Sequence, residues 1–362
     1  MNRRWICDDV WMDIFPCFDR PQLGLKLALL SPRFNALVDT HFDGKHELKL
    51  WRQIRIQKGA GPEPNLSVQI DRKFVHFPLP DHPLPNKIRF HFLQIAYIDH
   101  SVVEFLHANQ QIFDKGISLD LGMPFSKEIQ PICNVFALEI WPIFAPNIRH
   151  FNCTYGHDLE KLFRLTSMAI LSDLNIISIN SGDLLPAMVA DDGPSATAGQ
   201  ALSKWLHTPT KDGKPKQLIC CDFSEYRTIK WINSLKKAFL RATTSSSSYI
   251  ILLADFRSTK IGPFELMNER TNEMLTLEIE VDYEDMDEEY ENEYGYPDEV
   301  WQLKRCQIGQ TIQWEDENSD NLNNVGFTFS SSTNCIWPLS PPKAGQINAK
   351  NSSEMSAGPS GQ

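Results

Sequence analysis

Apolar residues recur at helical spacing in three short stretches within residues 1–46. The acidic pair Asp8 and Asp9 opens the first stretch, where a helix dipole favours negative charge. Pro21 suits the first position of a second helix, and Ser31-Pro32 supplies an N-cap and a first-turn proline for a third. The pattern predicts three short helices, with apolar positions at Val10, Ile14, Phe15, Leu23, Leu27, Leu30, Phe34, Leu37 and Val38.

A helical unit of this size buries too little of its own surface to be stable alone, since independent domains rarely fall below about 40 residues. Each large aliphatic side chain left in water forgoes ~1.5 to 3 kcal/mol. We therefore expect the apolar positions to be covered, either as core residues of an N-terminal domain or by a partner. The spacing leaves both possibilities open.

Residues 47–99 alternate between apolar and polar positions and form a predicted β-rich connecting segment. Residues 45–89 hold nine Lys or Arg against four Asp or Glu, with phenylalanines among them. A solvated strand face explains this excess better than a nucleic-acid surface, because no RNA-binding signature accompanies it.

Residues 100–262 alternate between helical and strand-like stretches, which predicts a βα-repeat region. The connections are long enough for right-handed crossovers between parallel strands. Leu171-x-x-Leu174-x-Ile176 resembles the strand of a leucine-rich repeat, with Ile179 where Asn or Cys is usual, and a curved βα array or a compact α/β sheet would both fit. The predicted helices are 101–113, 132–144, 159–172, 200–207 and 227–242, and the predicted strands begin near Ile117, Ile148, Leu174, Gln217 and Tyr249.

Residues 263–330 change to the pattern of an antiparallel hairpin region, with predicted strands at 264–267, 274–281 and 301–308. An acidic surface loop at 283–299 is predicted between the last two strands. Residues 340–362 are rich in Ser, Gly, Pro and Asn and have too few apolar residues to fold, so we expect a disordered tail. The predicted fold class is thus α+β or α/β, with N-terminal helices, a βα-repeat domain and a final hairpin sheet.

Charge and cysteine usage indicate an intracellular protein without a membrane span. The formal net charge is -11, but residues 278–299 hold twelve acidic and no basic residues, so the rest of the chain is near neutral. The eight cysteines are scattered without a C-x-x-C pair, which favours reduced thiols. Asp residues interrupt the only candidate for a secretory signal, and no apolar run approaches ~20 residues, so we expect a cytoplasmic or nuclear location.

Motifs for catalysis are scarce. The chain has no G-x-S-x-G elbow, no phosphate-binding G-x-x-x-x-G-K loop and no H-E-x-x-H pair. His100 and His107 could share a helix face, but no Cys or carboxylate at suitable spacing completes a zinc site. Cys220 and Cys221 alternate in a predicted strand and suit a buried structural role. We expect no catalytic residue, metal or cofactor.

The N-terminal helices resemble the F-box, a three-helix motif. The resemblance rests on the runs Asp9-Val10-Trp11-Met12-Asp13-Ile14-Phe15 and Leu23-Gly24-Leu25-Lys26-Leu27-Ala28-Leu29-Leu30-Ser31-Pro32-Arg33-Phe34, then Leu37-Val38 and Trp51. Ile6-Cys7 stands where the family usually has Leu-Pro. Residues 101–121, 201–221 and 263–277 look like the region downstream of the F-box in the large nematode-type families, so the resemblance covers most of the chain to about Ile308.

The resemblance implies a substrate-recognition subunit of an SCF-type (cullin-RING) ubiquitin ligase. The apolar positions of the three helices would then bind a Skp-type adaptor, the following domain would bind a target protein, and other subunits would carry the ubiquitin chemistry. Two alternatives stay open. The α/β region could be an enzyme or ligand-binding domain with a site assembled from distant residues, or the motif could bind the adaptor outside any ligase.

Overall fold

A computed structural model describes most of the chain up to residue 313. The described residues are 6–18, 22–43, 51–59, 61, 63–70, 73–81, 83–85, 89–122, 134–153, 156–166, 171, 175–221, 224–253, 260–280 and 300–313. The predicted acidic loop at 283–299 and the predicted tail at 340–362 lie outside them.

The three predicted N-terminal helices are present as short elements. The first, α1, spans Asp8–Ile14 and continues as a 3-10 turn over Phe15–Cys17. The second is a π-helical turn at Leu23–Leu27 followed by a 3-10 turn at Ala28–Leu30. The third, α2, spans Pro32–Asp43, and the Ser31 hydroxyl accepts a hydrogen bond from the Phe34 amide at 3.3 Å, as an N-cap does.

The strands of the predicted connecting, repeat and hairpin regions join one twelve-stranded sheet. The strands are β1 (Trp51–Lys58), β2 (Pro64–Ile70), β3 (Lys73–Pro78), β4 (Phe90–Ile95), β5 (Phe113–Leu121), β6 (Ile148–Cys153), β7 (Ser178–Asn180), β8 (Lys216–Cys220), β9 (Tyr249–Leu253), β10 (Phe264–Asn268), β11 (Glu273–Glu280) and β12 (Val300–Gln307). Their order in the sheet is β10-β11-β12-β9-β8-β7-β6-β5-β4-β1-β2-β3. The seven central strands are parallel, and an antiparallel hairpin ribbon closes each side.

Helices connect the parallel strands from β4 to β9, and each connection advances the sheet by one strand in the same direction. Right-handed crossovers that always advance in one direction place every helix on the same face. The helices are α3 (His100–Ala108), α4 (Trp141–Phe144) after a π-helical turn at Phe136–Ile140, α5 (Gly156–Thr166), α6 (Ala198–His207) and α7 (Glu225–Arg241).

The main hydrophobic core lies between these helices and one face of the sheet, which we call the helix-covered face. Alternate strand residues such as Leu93, Leu119 and Phe151 pack there against Leu106, Phe163 and other helix residues, all at most 1% exposed. The intervening strand residues point to the opposite face. Leu25 from the N-terminal helices also belongs to this core, so the helical unit packs on the same body as the sheet.

Most predicted elements are confirmed, but two boundaries of the predicted repeat are wrong. Helix α3 ends at Ala108 because the Asn109 side chain donates to the Phe105 carbonyl at 2.8 Å and accepts from the Leu84 amide at 2.7 Å, and β5 starts at Phe113. The strand expected near Leu174 starts at Ser178, where the register pairs it with His150. Leu174 itself lies outside the described residues.

Candidate functional site

The N-terminal helices form a small core of their own. Its buried residues are Phe15, Leu23, Ala28, Leu37, Val38 and Phe42, with Trp11, Met12, Phe18, Leu27 and Phe34 partly buried against them. The Trp11 and Phe34 rings meet edge to face at a centroid distance of 4.9 Å. Four of the nine predicted adaptor-binding residues, Phe15, Leu23, Leu37 and Val38, thus hold the helices together.

The remaining predicted adaptor-binding residues are more accessible. Ile14, Leu27 and Phe34 are half-buried, whereas Val10 is 43% exposed and Leu30 is 65% exposed. Ile6, which stands in the position that departs from the family pattern, is 45% exposed. The helical unit therefore leaves large apolar side chains in water at Ile6, Val10 and Leu30, which we call the apolar helix patch.

An arginine ties the two ends of this patch together. Arg33, at the start of α2, donates through Nε to Asp8 Oδ1 at 3.0 Å and through Nη2 to the Ile6 carbonyl at 2.8 Å. The start of α1 is thereby fixed beside the turn that contains Leu30. Because the interaction is a charge-assisted pair at the surface, it orients the helices more than it stabilises them.

A row of polar side chains crosses the sheet on the face opposite the helices. The strand register places Arg55 beside Gln94, Gln94 beside Asp120, Asp120 beside Asn152, and Asn152 beside Asn180. Neighbouring strands lie about 4.8 Å apart, so each side chain can reach the next. We call these five residues the polar row.

Asp120 lies at the centre of the polar row and is 7% exposed. Its Oδ2 accepts a hydrogen bond from Gln94 Nε2 at 2.8 Å, and the Asn152 amide is close enough to favour the charged form of the carboxyl. Burial away from water raises the pKa of Asp120 to about 6, although the two amides and the Arg55 charge act in the opposite direction. The carboxylate therefore lacks the close counter-charge that usually accompanies such burial.

Several polar atoms along the row are buried without a hydrogen-bond partner. They are Arg55 Nε, Gln94 Oε1, Asp120 Oδ1 and Asn152 Oδ1. Native proteins rarely leave such atoms unpaired, and each costs ~1 to 3 kcal/mol. Three of the four are oxygen acceptors on adjacent strands, so the site can accept hydrogen bonds from an added donor.

The prediction from sequence did not identify the polar row. A signal was present, because a polar residue stands between two apolar residues in Leu93-Gln94-Ile95, Leu119-Asp120-Leu121 and Phe151-Asn152-Cys153. Alternation of this kind predicts one buried and one polar face. Only the register shows that the three polar residues are neighbours.

A cavity of about 350 Å³ lies on the helix-covered face between α6, α7 and strands β9 and β12. His207 lines it and shares a 2.6 Å hydrogen bond between its Nδ1 and Ser246 Oγ. Burial lowers the pKa of His207 to about 4, so its imidazole is neutral at pH 7. Glu273 accepts from the Ser246 backbone amide at 2.8 Å.

Within the described part of the chain, no group of three or more His, Cys, Asp or Glu residues could hold a metal ion. No described helix has the length and apolar character needed to cross a membrane. Comparison with known proteins found no match to any family model, curated protein or solved structure.

Proposed function

We propose that this protein is the substrate-recognition subunit of an SCF-type (cullin-RING) ubiquitin ligase. In this proposal the N-terminal helices bind a Skp-type adaptor, the sheet domain binds a target protein, and the chain itself carries no catalytic residue. The observation that carries the proposal is the apolar helix patch, because its three side chains are exposed on a unit whose own core is already complete.

Burial of such side chains against a partner gives a substantial driving force. Removing one large aliphatic side chain from water contributes ~1.5 to 3 kcal/mol, and Val10 and Leu30 stand on separate elements that a partner would contact together. Leu25 and Leu29 pack on the main core instead, so the helical unit is held to the sheet domain without using the patch. Adaptor and target could then be bound at the same time.

The arrangement of the sheet supports the proposal that the target-binding domain is a βα-repeat domain similar to a leucine-rich repeat. Six consecutive parallel strands lie in chain order, and the helices between them pack on a single face. A repeat array stacks one unit on the next in this way and leaves its other face for binding. In the proposed complex the polar face of the sheet contacts the target.

The test is capture of a purified Skp-type adaptor by the full chain. Val10→Asp combined with Leu30→Asp should abolish capture, because both charges would be buried in the interface. Leu138→Asp is the matched control, since Leu138 is 72% exposed on the sheet domain and should tolerate the change. No capture by the natural chain, or equal capture by both variants, would refute the proposal. Ile14→Lys and Leu27→Lys should also abolish capture, but both residues are half-buried, so their folding must be measured in parallel.

A further inference from the structure

The polar row contains three oxygen acceptors without a hydrogen-bond partner, and one of them belongs to a carboxylate. Asp120 is a carboxylate that is more than nine-tenths buried, and its Oδ1 has no hydrogen-bond partner. Gln94 Oε1 and Asn152 Oδ1 stand on the two adjacent strands and are also unpaired. A ligand that satisfies all three must bring several donors and a positive charge.

We propose that Gln94, Asp120 and Asn152 bind a cationic side chain, lysine or arginine, from an extended segment of a partner polypeptide. The proposal rests on the proposed function in one respect, namely that the partner is the target protein. A lysine ammonium offers three donors and an arginine guanidinium offers five, and neither carries an acceptor that would meet the row's oxygens unfavourably. Charge-assisted bonds of this kind are roughly twice as strong as neutral ones.

Other ligands fit the row less well. An anion would be repelled by the negative charge of the Asp120 carboxylate. A divalent metal ion usually requires several carboxylates or more oxygen ligands than one acid and two amides provide. A neutral donor would satisfy the hydrogen bonds but leave the buried charge uncompensated.

The residues beside Asp120 are partly open to solvent. Gln94 and Asn152 are half-buried, so in the proposed complex the partner side chain reaches the carboxylate by displacing one of these two amides. Gly122 follows β5 at this point, and a Cβ there would come within 3.1 Å of Gln94 Nε2. A glycine therefore leaves the space in which the Gln94 amide lies.

Two other ionisable side chains share this face on the described strands near Asp120. Arg55 is two strands away in the same row, and His150 is one strand away and two residues along. Neither side chain is directly opposite Asp120 on an adjacent strand, because His150 is opposite Ser118 and Arg55 is separated from Asp120 by β4. Asp120 is therefore the group whose ionisation should control cation binding, which should weaken as the pH falls through about 6.

The experiment selects 12-residue peptides from a displayed random library on the full natural chain and then measures their binding to variants. We expect the selected peptides to share a Lys or Arg whose replacement by norleucine or citrulline weakens binding roughly 30-fold. Asp120→Asn should cause a similar loss and remove the pH dependence. Glu278→Gln is the matched control, because Glu278 is an exposed carboxylate on the same face, paired with Lys304 at 2.8 Å, and its loss should leave binding unchanged.

The proposal is overturned if no peptide is enriched, if enriched peptides lack a basic residue, or if Asp120→Asn and the natural chain bind them equally. Asn152→Leu provides a second variant that keeps the charge but removes an acceptor, and an intermediate loss is expected. Adaptor capture by Asp120→Asn should be normal. If the natural chain binds basic peptides but not the adaptor, the ligase proposal fails while the cation site stands.

Discussion

The two faces of the sheet each bury a carboxylate, and the two acids differ in their pairing. On the helix-covered face, Glu273 accepts from Arg305 Nη2 at 2.8 Å and from the Ser246 amide at 2.8 Å, and the side chains of the ion pair are 0% and 8% exposed. On the polar face, Asp120 has amide donors but no adjacent cation.

The pKa values of the two acids shift in opposite directions. Burial raises the pKa of Glu273, but hydrogen bonds from Arg305, the Ser246 amide and Thr271 outweigh it, so the pKa lies below its ordinary value. Burial prevails at Asp120 and raises its pKa to about 6. The Glu273 carboxylate is thus paired with a buried cation on the helix-covered face, whereas the Asp120 carboxylate on the polar face has no adjacent cation, as is common for acids in binding sites.

The largest effect is expected from breaking the pair on the helix-covered face. Glu273→Gln leaves the Arg305 charge buried without a counter-charge, so the free energy of unfolding should fall by roughly 3 to 5 kcal/mol. Urea denaturation measures the change. Glu278 and Lys304 form an exposed pair, so Glu278→Gln should lower the free energy of unfolding by less than about 1 kcal/mol. Equal losses of stability in the two variants would show that the buried pair contributes no more than the exposed one.

A second pair of substitutions contrasts neighbouring residues of β5 that point to opposite faces. Leu119 is fully buried in the main core, so Leu119→Ala should cost roughly 2 to 5 kcal/mol through a cavity. Ser118 is half-buried on the polar face, so Ser118→Ala should change stability by less than about 0.5 kcal/mol. A similar loss at both positions in thermal or urea unfolding would show that the polar face is as closely packed as the helix-covered face.

Asp120→Asn should stabilise the protein at neutral pH. Folding raises the pKa of Asp120 from its ordinary value of 3.8 to about 6, so the folded state holds this proton more tightly than the unfolded state. The resulting stability is fully present below pH 3.8 and is lost as the pH rises through about 6. The substitution should therefore raise the free energy of unfolding at pH 7.5 by roughly 2 to 3 kcal/mol.

Unfolding curves of the natural chain and Asp120→Asn between pH 4 and pH 8 measure this difference. The gap between the two should narrow as the pH falls below about 6, where the natural side chain is protonated. A gap that is constant with pH would mean that Asp120 has a counter-charge in solution.

The smallest effect on stability is expected in the apolar helix patch. Leu30→Asp changes a side chain that is 65% exposed, so the free energy of unfolding should change by less than about 0.5 kcal/mol while adaptor capture is lost. Phe15→Ala removes a fully buried ring from the helical core and should cost roughly 3 to 5 kcal/mol. If Leu30→Asp unfolds the helical unit, the patch is structural.

Much of the fold could be predicted from local patterns. The apolar spacing and the Ser31-Pro32 signal located the N-terminal helices, and alternation in Leu275 and Leu277 located β11. Helix–strand alternation and connection length predicted the parallel strands from β5 to β9. These features depend on residues close together in the chain, where periodicity reports directly on which side is buried.

The sequence by itself determined the elements and their buried sides, while the tertiary structure decided which side chains meet. Gln94, Asp120 and Asn152 stand 26 and 32 residues apart, and strand register alone makes them neighbours. Glu273 and Arg305 are likewise separated by 32 residues. Likewise, spacing placed Phe15 and Leu30 on the same predicted apolar array, but only packing buried one and exposed the other. Pairing and exposure depend on contacts between distant segments, which local periodicity does not encode.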